Sequence, residues 1–209
     1  VLGGDATLEG GLTFAQLQDA PDQVLKIKGE LTADGLRQAR ELGLISRVAQ
    51  RATGKTNYTV NLGLQRGHPR LLIESDLKGM ALTLPSPLNK ASAAKMPLRI
   101  ATGLTKESLD PKSRTLQDQI SVTLDRWVSV QYVRDVSQQS PRVVRGGIAV
   151  GQSVVNAVPM HDNAVALNLQ LASIDLDAWN AVLTQVTGVS PLRRKALAGK
   201  IIGNEAAAD

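Results

Sequence analysis

The stretch NAVALNLQLA, residues 163–172, alternates apolar and polar side chains more clearly than any other part of the sequence. Successive side chains of a β-strand point to opposite faces of a sheet, so the stretch predicts a strand with one apolar face. The polar face carries Asn168 and Gln170. The apolar face carries Val165, Leu167, Leu169 and Leu171. Such a face has to be covered by a helix, a second layer or a ligand.

The same alternation recurs along the chain. Ile120, Val122 and Leu124 form a second regular example, followed by a short connection at residues 125–126. Connections of this length join antiparallel neighbours. Strands are predicted at residues 24–30, 58–65, 70–77, 98–101, 120–124, 127–136, 143–150 and 163–172, with Gly146 and Gly147 marking a bulge.

A helical period follows the first of these strands. Asp34 is a suitable N-cap, and the period covers residues 36–53 up to Gly54, a residue typical of helix C-termini. One side carries Ala39, Leu42, Ile45, Ala49 and Ala52, and the opposite side carries Arg37, Arg40, Arg47 and Arg51. This arrangement predicts one amphipathic helix with a buried apolar stripe and an exposed basic face.

A second helix is predicted near the end of the chain. Asp175 or Asp177 caps its first turn, where a negative charge suits the helix dipole. These two carboxylates are two residues apart and do not face each other as a catalytic pair would. The apolar stripe consists of Trp179, Val182, Leu183 and Val186, and Gly188 and Pro191 end the helix.

These elements predict an α+β fold. We expect a predominantly antiparallel, twisted β-sheet with one apolar face and two helices packed on it or at its ends. A single domain is expected over residues 1–190, as a fragment of a longer chain, followed by a basic, Ala-rich tail over residues 191–209 that is helical or disordered. Aliphatic side chains must do the packing, because the only aromatic residues are Phe14, Tyr58, Trp127, Tyr132 and Trp179. Alternation is compatible with both an open groove and a closed core.

The sequence lacks the residue patterns of common catalytic and cofactor sites. It contains no cysteine, and its two histidines, His68 and His161, each stand alone in a turn-like context. The triplet at residues 54–56 ends like a phosphate-binding loop, but the earlier glycine of that loop is replaced by Ala49. We therefore expect a protein that is not an enzyme, with no catalytic residue, no cofactor and no bound metal.

The charge is positive but dispersed. The net charge is +5 and the sequence pI is about 9.7, yet no run of five like charges occurs. Sheets that bind nucleic acids stack bases on aromatic side chains, which are scarce here, so we expect no nucleic-acid partner. No apolar run approaches the roughly 20 residues that span a bilayer. We expect any membrane anchor to lie outside this segment.

One stretch resembles a known family. SDLKGMALTLPSPLNK at residues 75–90, followed by MPL at residues 96–98, is similar to a hallmark of the YhdP branch of AsmA-like proteins. The sequence IDLDAW at residues 174–179 adds to a likeness that covers residues 24–188. The residues that carry it are Ser75, Asp76, Leu77, Gly79, Leu84, Pro85, Pro87, Leu88, Lys90, Pro97, Leu98, Asp177 and Trp179.

The same stretch has a structural interpretation. Gly79 permits a bend or bulge, and Pro85 and Pro87 stop ladder pairing because proline has no N–H. We expect Leu88 to fold back onto the apolar face and Lys90 to lie at its rim. In this interpretation the stretch is a loop that ends one edge of the sheet.

The resemblance implies a parent protein anchored in the bacterial inner membrane, with its bulk in the periplasm. It implies a role in phospholipid transport toward the outer membrane and in outer-membrane integrity, and long curved sheets with an apolar groove. The residues then expected to contact phospholipid acyl chains are Ile120, Val122, Leu124, Val165, Leu167, Leu169 and Leu171. The alternative is a structural or protein-interaction scaffold domain of the envelope that binds no lipid.

Overall fold

Strands dominate the part of the chain that the structure describes. The computed structural model describes residues 2–10, 25–65, 67–151, 161–162, 164–171 and 173–187, with eleven strands and four α-helices among them. The strands are Ala6–Glu9 (β1), Leu25–Thr32 (β2), Ala52–Gln65 (β3), His68–Ser75 (β4), Met80–Leu82 (β5), Leu98–Leu104 (β6), Gln117–Leu124 (β7), Val128–Asp135 (β8), Arg142–Gly151 (β9), His161–Asp162 (β10) and Val165–Gln170 (β11). The helices are Ala33–Gln38 (α1), Leu44–Val48 (α2), Lys106–Leu109 (α3) and Leu176–Thr187 (α4), with 3-10 turns at Arg40–Leu42 and Ala49–Arg51.

The strands lie side by side in nearly the order of the chain. Neighbours follow the path β1-β2-β3-β4-β6-β7-β8-β9-β10, with β5 beside the first residues of β3 and β11 beside β9. Among the described strands every pairing is antiparallel except that of β11 with β9. The predicted α+β class with a predominantly antiparallel sheet is confirmed.

β11 is an exception to the antiparallel pairing expected of strands joined by short connections. The two-residue strand β10 pairs antiparallel with β9, with His161 opposite Gly146. The chain then reverses, and β11 runs parallel to β9 from Val165, which is opposite the same glycine. The short strand β10 thus turns the chain back into the direction of β9 without the long crossover that parallel neighbours usually need.

The irregularity in β9 lies beside the predicted place, not at it. Val133 pairs with Arg145 and Arg134 pairs with Val143, so Val144 is the extra residue of a bulge. Gly146 remains in register, opposite Tyr132. The prediction of a bulge at Gly146 and Gly147 is therefore wrong, because the ladder continues through both glycines.

The helix predicted over residues 36–53 is broken into short pieces. α1 ends at Gln38, and α2 begins after Gly43, whose φ of 56° lies in the left-handed region that favours glycine. After Arg51 the chain leaves the helical conformation, because Ala52 to Gly54 pair with β5. Gly54 is consequently a strand residue and not the C-terminal stop of a helix. A ladder with a strand distant in sequence outweighs the local helical period.

The cap of α1 and one arginine also differ from the prediction. Thr32, not Asp34, is the N-cap: its Oγ1 accepts a hydrogen bond from the Gly35 N–H at 2.9 Å. Arg37 is half-buried, and its guanidinium donates to the carbonyls of Ala49 at 3.1 Å and Ala52 at 2.8 Å. Arg37 therefore satisfies carbonyls at the end of this helical region and does not lie on an exposed basic face.

The apolar stripe of this region is only partly as predicted. Ala39, Ala49 and Ala52 are buried. Ile45, expected to be buried with them, is 46% exposed because the break at Gly43 rotates α2 away from the continuous period. Small side chains, which permit close approach, thus make the buried contacts of these short helices.

α4 begins as predicted. The Asp175 carboxylate accepts a hydrogen bond from the Ala178 N–H at 2.9 Å, so Asp175 and not Asp177 is the cap. Val182 is buried, whereas Leu183 of the predicted stripe is 49% exposed. The side chain of Val186 and the whole stretch from residue 188, including the expected tail, lie outside the described residues.

The densest packing lies at one end of the sheet, in a region that we call the cap: residues 33–51, 76–96 and 173–187. A buried cluster joins α1, β5 and the segments next to it, and Leu31, Leu98 and Leu124 of the sheet pack against it. Its buried members are Ala33, Ala52, Leu77, Met80, Leu82 and Met96. The cap closes the end of the sheet where β2, β4 and β7 finish.

Candidate functional site

A row of aliphatic residues crosses the sheet at right angles to its strands. Residues directly opposite each other on paired strands point to the same face, so the register defines the row. It consists of Leu8, Ile27, Val60, Ile73, Ile100, Val122, Val130, Ile148 and Leu167, one from each of nine strands. Every member is Leu, Ile or Val, so no polar side chain interrupts the row.

Two further rows flank it on the same face, each two residues away along the strands. The row next to the cap includes Gly29, Tyr58, Ser75, Leu98, Leu124, Val128 and Val150. Leu169 is opposite Val150 in register. The row on the far side includes Leu25, Leu62, Leu71, Thr102, Ile120, Tyr132, Gly146 and Val165. We call the three rows together the apolar band.

The residues predicted to contact acyl chains fall in register with one another. The far row holds Ile120 and Val165, the middle row Val122 and Leu167, and the row next to the cap Leu124. Leu169 is opposite Val150 in register, and its side chain lies outside the described residues. Leu171 follows the last residue of β11 and lies outside the paired register. Contact of any of these residues with lipid stays a prediction.

The band is accessible along its length. Ile100, Val122 and Val130 are half-buried, and exposure rises at both edges of the sheet, where Leu8 and Leu167 are each 63% exposed. With strands spaced about 4.8 Å apart, the nine-strand row is about 38 Å long, and three rows are about 14 Å wide. The band therefore has the shape of a long, narrow strip that runs from one sheet edge to the other.

An ion pair bounds the band on the side away from the cap. Asp118 and Arg134 are direct partners on β7 and β8, and each lies two residues beyond the far row, at Ile120 and Tyr132, on the same face. The guanidinium binds the carboxylate through two contacts, 2.9 Å from Nε and 2.5 Å from the terminal nitrogen. These hydrogen bonds raise the pKa of Arg134. The strip thus lies between a packed cap and a bidentate, charge-assisted pair.

The opposite face of the sheet carries charged side chains arranged in cross-strand pairs on β1 to β6, whereas on β8 and β9 the same face holds the buried Val133 and Ala149. Lys28 binds Glu9 at 3.1 Å, and Lys55 binds Glu30 at 2.9 Å. A third pair, Arg99 with Glu74 at 3.5 Å, continues the series on β6 and β4. Exposed pairs of this kind add little stability, but they neutralise part of the positive charge of this face.

Two glycines hold the cap against the sheet. Gly54 in β3 and Gly79 before β5 have φ angles of 90° and 96°. A Cβ on Gly54 would lie 2.3 Å from the Gly79 carbonyl oxygen, and one on Gly79 would lie 2.3 Å from the Lys55 carbonyl oxygen. Neither position admits a side chain, because backbone atoms occupy the space.

The turn before Gly79 is fixed by its own side chains. Ser75 Oγ donates to the Asn57 carbonyl at 2.6 Å and accepts from the Leu77 N–H at 3.1 Å, while Leu77 adopts a φ of 51°. The Lys78 N–H donates to the Asp76 carboxylate at 3.0 Å, and this hydrogen bond lowers the pKa of Asp76. The strain at Leu77 places its side chain in the buried cluster of the cap.

Lys90 is buried, so the prediction that it lies at a rim is wrong. The residue is 5% exposed, and its ammonium donates to the carbonyls of Met80 and Ala91. Its backbone forms a bridge with Leu82, with N–H to carbonyl distances of 2.8 and 3.0 Å. Burial lowers the pKa of Lys90, and the nearby Asp76 carboxylate opposes part of this effect. The side chain connects the loop to β5.

The proline-containing loop is the docking place of α4. The Trp179 Nε1–H donates to the Ser86 carbonyl at 3.0 Å, and Val182 packs against Leu84. Leu88 belongs to this cluster and does not fold back onto the apolar face of the sheet, as was predicted. Pro85 and Pro87 take no part in a ladder, as their missing N–H groups require.

The comparison with protein families decides the assignment. The model of the family described as YhdP protein matches residues 1–202 of the 209-residue chain. The chain belongs to the YhdP family. No curated protein and no solved structure gives a significant match.

Within this YhdP-family chain, the residues of the resemblance and the residues of the apolar band occupy different places. Most of the former build the cap, with Ser75 at the end of β4, Pro97 exposed just before β6, and Asp177 exposed in the first turn of α4. Ser75 and Leu98, which pair with each other in the row next to the cap, belong to both sets, and Leu98 packs against the buried cluster of the cap. The hallmark sequence therefore describes the closed end of the sheet.

None of the helices in the described ranges has the length and apolar character needed to cross a membrane. The same residues contain no group of three or more His, Asp or Glu side chains placed to hold a metal ion.

The residues predicted to contact acyl chains lie on β7 and β11, whereas the band extends over seven further strands. Ile73 and Ile100 were not recognised because apolar and polar residues alternate poorly around them, as in the consecutive Leu71 and Leu72. Val130 and Ile148 lie in the strands predicted at residues 127–136 and 143–150, for which no apolar face was predicted. The predicted two-residue connection at residues 125–126 would pair Val122 with Ser129, whereas the observed connection has three residues and pairs Val122 with Val130.

Proposed function

We propose that the apolar band binds phospholipid acyl chains and that this chain is a non-catalytic segment of an envelope protein that moves phospholipid toward the outer membrane. Membership of the YhdP family suggests an envelope protein related to lipid transport. A periplasmic location, and a parent protein anchored in the inner membrane outside this segment, are parts of the same proposal.

The uninterrupted middle row supports the proposal most strongly. Nine strands place one aliphatic side chain each at the same level of the sheet, from Leu8 to Leu167. Large exposed apolar patches in soluble proteins usually mark binding sites, because exposing them to water is unfavourable. The observed strip is the kind of surface that a long, flexible, apolar ligand covers.

The dimensions of the band suit an acyl chain. The hydrocarbon core of a bilayer is about 30 Å thick, so the chains of one leaflet extend over about 15 Å. The band is about 38 Å long and about 14 Å wide. It therefore accommodates acyl chains laid lengthwise, and it offers no polar group at its centre that would recognise one headgroup.

The test is the amount of phospholipid that purifies with the protein, measured by mass spectrometry after extraction. Val122→Thr combined with Val130→Thr keeps the side-chain volume and places two adjacent hydroxyls in the middle row. By bonding to each other, the two opposite hydroxyls satisfy only one of their two O–H donors. Burying the other without a partner costs about 1–3 kcal/mol, so bound phospholipid should fall about tenfold. Thr123→Val, the reverse change on the opposite face of β7, is the matched control and should leave the amount unchanged.

The result also separates lipid binding from a scaffold role. A wild-type protein that carries no phospholipid above the detergent blank contradicts the proposal and favours a structural or interaction domain. Equal losses in the paired Thr variant and in Thr123→Val also contradict it, because the two faces of β7 would then be equivalent.

A further inference from the structure

Both tyrosines of the chain lie in the apolar band, and each is directly opposite a glycine. Tyr58 on β3 pairs with Gly29 on β2, and Tyr132 on β8 pairs with Gly146 on β9. The two pairs are near opposite edges of the sheet and in different rows, so one arrangement occurs twice. No other described band position carries an aromatic side chain.

The rings extend across the neighbouring strand and cover the glycines. A Cβ built on Gly146 would lie 2.5 Å from Cδ1 and 2.8 Å from Cε1 of Tyr132, and 3.0 Å from the Gln131 carbonyl oxygen. A Cβ on Gly29 would lie 2.8 Å from the hydroxyl oxygen and 2.9 Å from Cε1 and Cζ of Tyr58. Each ring thus occupies the space that a side chain on the opposite residue would fill.

The backbone does not require glycine at these positions. Neither Gly29 nor Gly146 is among the residues with positive φ, so both have a conformation that any L-residue adopts. The neighbouring ring is therefore the nearest steric obstacle to a side chain at both places. Side chains in strands normally stand roughly perpendicular to the sheet, and a tyrosine held upright would project above Leu, Ile and Val.

We propose that the two tyrosine–glycine pairs let the aromatic rings lie over the glycines and not project above the apolar band, so that acyl chains can pass over the rings. This inference rests on the proposed function and names Gly29, Tyr58, Tyr132 and Gly146 as positioning residues for it. A side chain on Gly146 pushes the Tyr132 ring upward into the path of the ligand. The aromatic residues then act as an obstacle and not as part of the floor.

The experiment uses a photoreactive residue at Val122 in the full-length protein in bacterial cells, with phospholipid capture as the readout. Gly146→Val should reduce capture several-fold, because the displaced ring crosses the band beside Val122. Adding Tyr132→Ala to Gly146→Val should restore capture, since no ring is left to displace. Gly103→Val is the matched control: it lies on the opposite face, where its Cβ would lie 3.3 Å from the Gln65 amide oxygen and 3.6 Å from Cγ of Arg70.

Each outcome decides between possibilities. Unchanged capture in a folded Gly146→Val protein contradicts this inference alone, as does a loss that Tyr132→Ala fails to restore. If Gly146→Val does not fold, Gly146→Ala should give a smaller loss that Tyr132→Ala again restores. Absence of capture in the wild type contradicts the proposed function and this inference together.

Discussion

The cap and the apolar band are both built largely from aliphatic side chains, but they use these residues in opposite ways. In the cap, Leu77, Met80, Leu82 and Met96 are buried, and every turn between them is fixed by hydrogen bonds or by glycines in contact with backbone. In the band, Val122 and its neighbours are only half-buried, although the register aligns them over nine strands. The difference indicates that the cap stabilises the fold, whereas the band leaves aliphatic surface accessible, as the proposed binding of acyl chains requires.

The comparison also explains where the family resemblance lies. A turn with a strained Leu77, two contacting glycines and a buried lysine tolerates few sequences, so it produces a recognisable motif. A band that needs only aliphatic side chains can be built from many combinations of Leu, Ile and Val. The recognisable sequence and the proposed binding surface are therefore in different parts of the molecule.

Gly79→Ala gives the largest expected effect in the cap. The new Cβ meets the Lys55 carbonyl oxygen in a backbone conformation that L-residues rarely adopt, so the free energy of unfolding should fall by more than about 3 kcal/mol. Gly67→Ala is the matched control: its φ is also positive, at 77°, but nothing lies within 4 Å of its Cβ. It should cost only about 1–2 kcal/mol. Urea unfolding measures both, and equal losses would contradict the close contact in the cap.

Leu82→Ala compared with Val122→Ala tests the contrast in burial directly. Leu82 is buried in the cap, so its truncation should cost about 2–5 kcal/mol, including the cavity that it leaves. Val122 is half-buried in the band, so its truncation should cost only about 1 kcal/mol. Denaturant midpoints of the purified variants provide the measurement. A larger loss for Val122→Ala would show that the band is a closed core.

Lys90 gives the smallest expected effect, which appears as a pH dependence. Its pKa in the folded protein is below the ordinary 10.5, because the ammonium is buried. Between the folded and the unfolded pKa the unfolded chain binds more protons, so stability contributed by this group increases as the pH rises through that window. The wild type should therefore gain stability relative to Lys90→Met as the pH approaches 10.5.

Lys78→Met controls for the loss of one positive charge in the same segment, because Lys78 is exposed. The free energies of unfolding of the three proteins are compared over the alkaline range. The free energy of unfolding of the wild type minus that of Lys90→Met should rise with pH. If this quantity stays constant or falls, the buried position of Lys90 is contradicted.

The strands were predictable because alternation is a local signal. The alternation of Ile120, Val122 and Leu124 predicts a strand with one apolar face even when the strands that pair with it are unknown. The broken helix was not predictable in this way, since its period continues through Gly43 and into residues that pair with β5. Only the distant strand decides that Ala52 to Gly54 are extended.

The errors at Lys90 and β11 have the same origin. A lysine is normally exposed, and its burial here depends on carbonyl groups of Met80 and Ala91 that the fold brings to it. The parallel direction of β11 depends on β10, a pairing of two residues that carries no recognisable pattern. Contacts between segments, and not the segments themselves, determine both features.

One face of the sheet, and only that face, is proposed to contact lipid. Photoreactive residues placed at Val122 and Val130 of the full-length protein in cells test it against matched positions one residue away, Ser121 and Gln131, which pair with each other on the opposite face. Phospholipid adducts are expected at the two valine positions and none at Ser121 and Gln131. Equal labelling of both faces, or adducts at Ser121 and Gln131 alone, would contradict it.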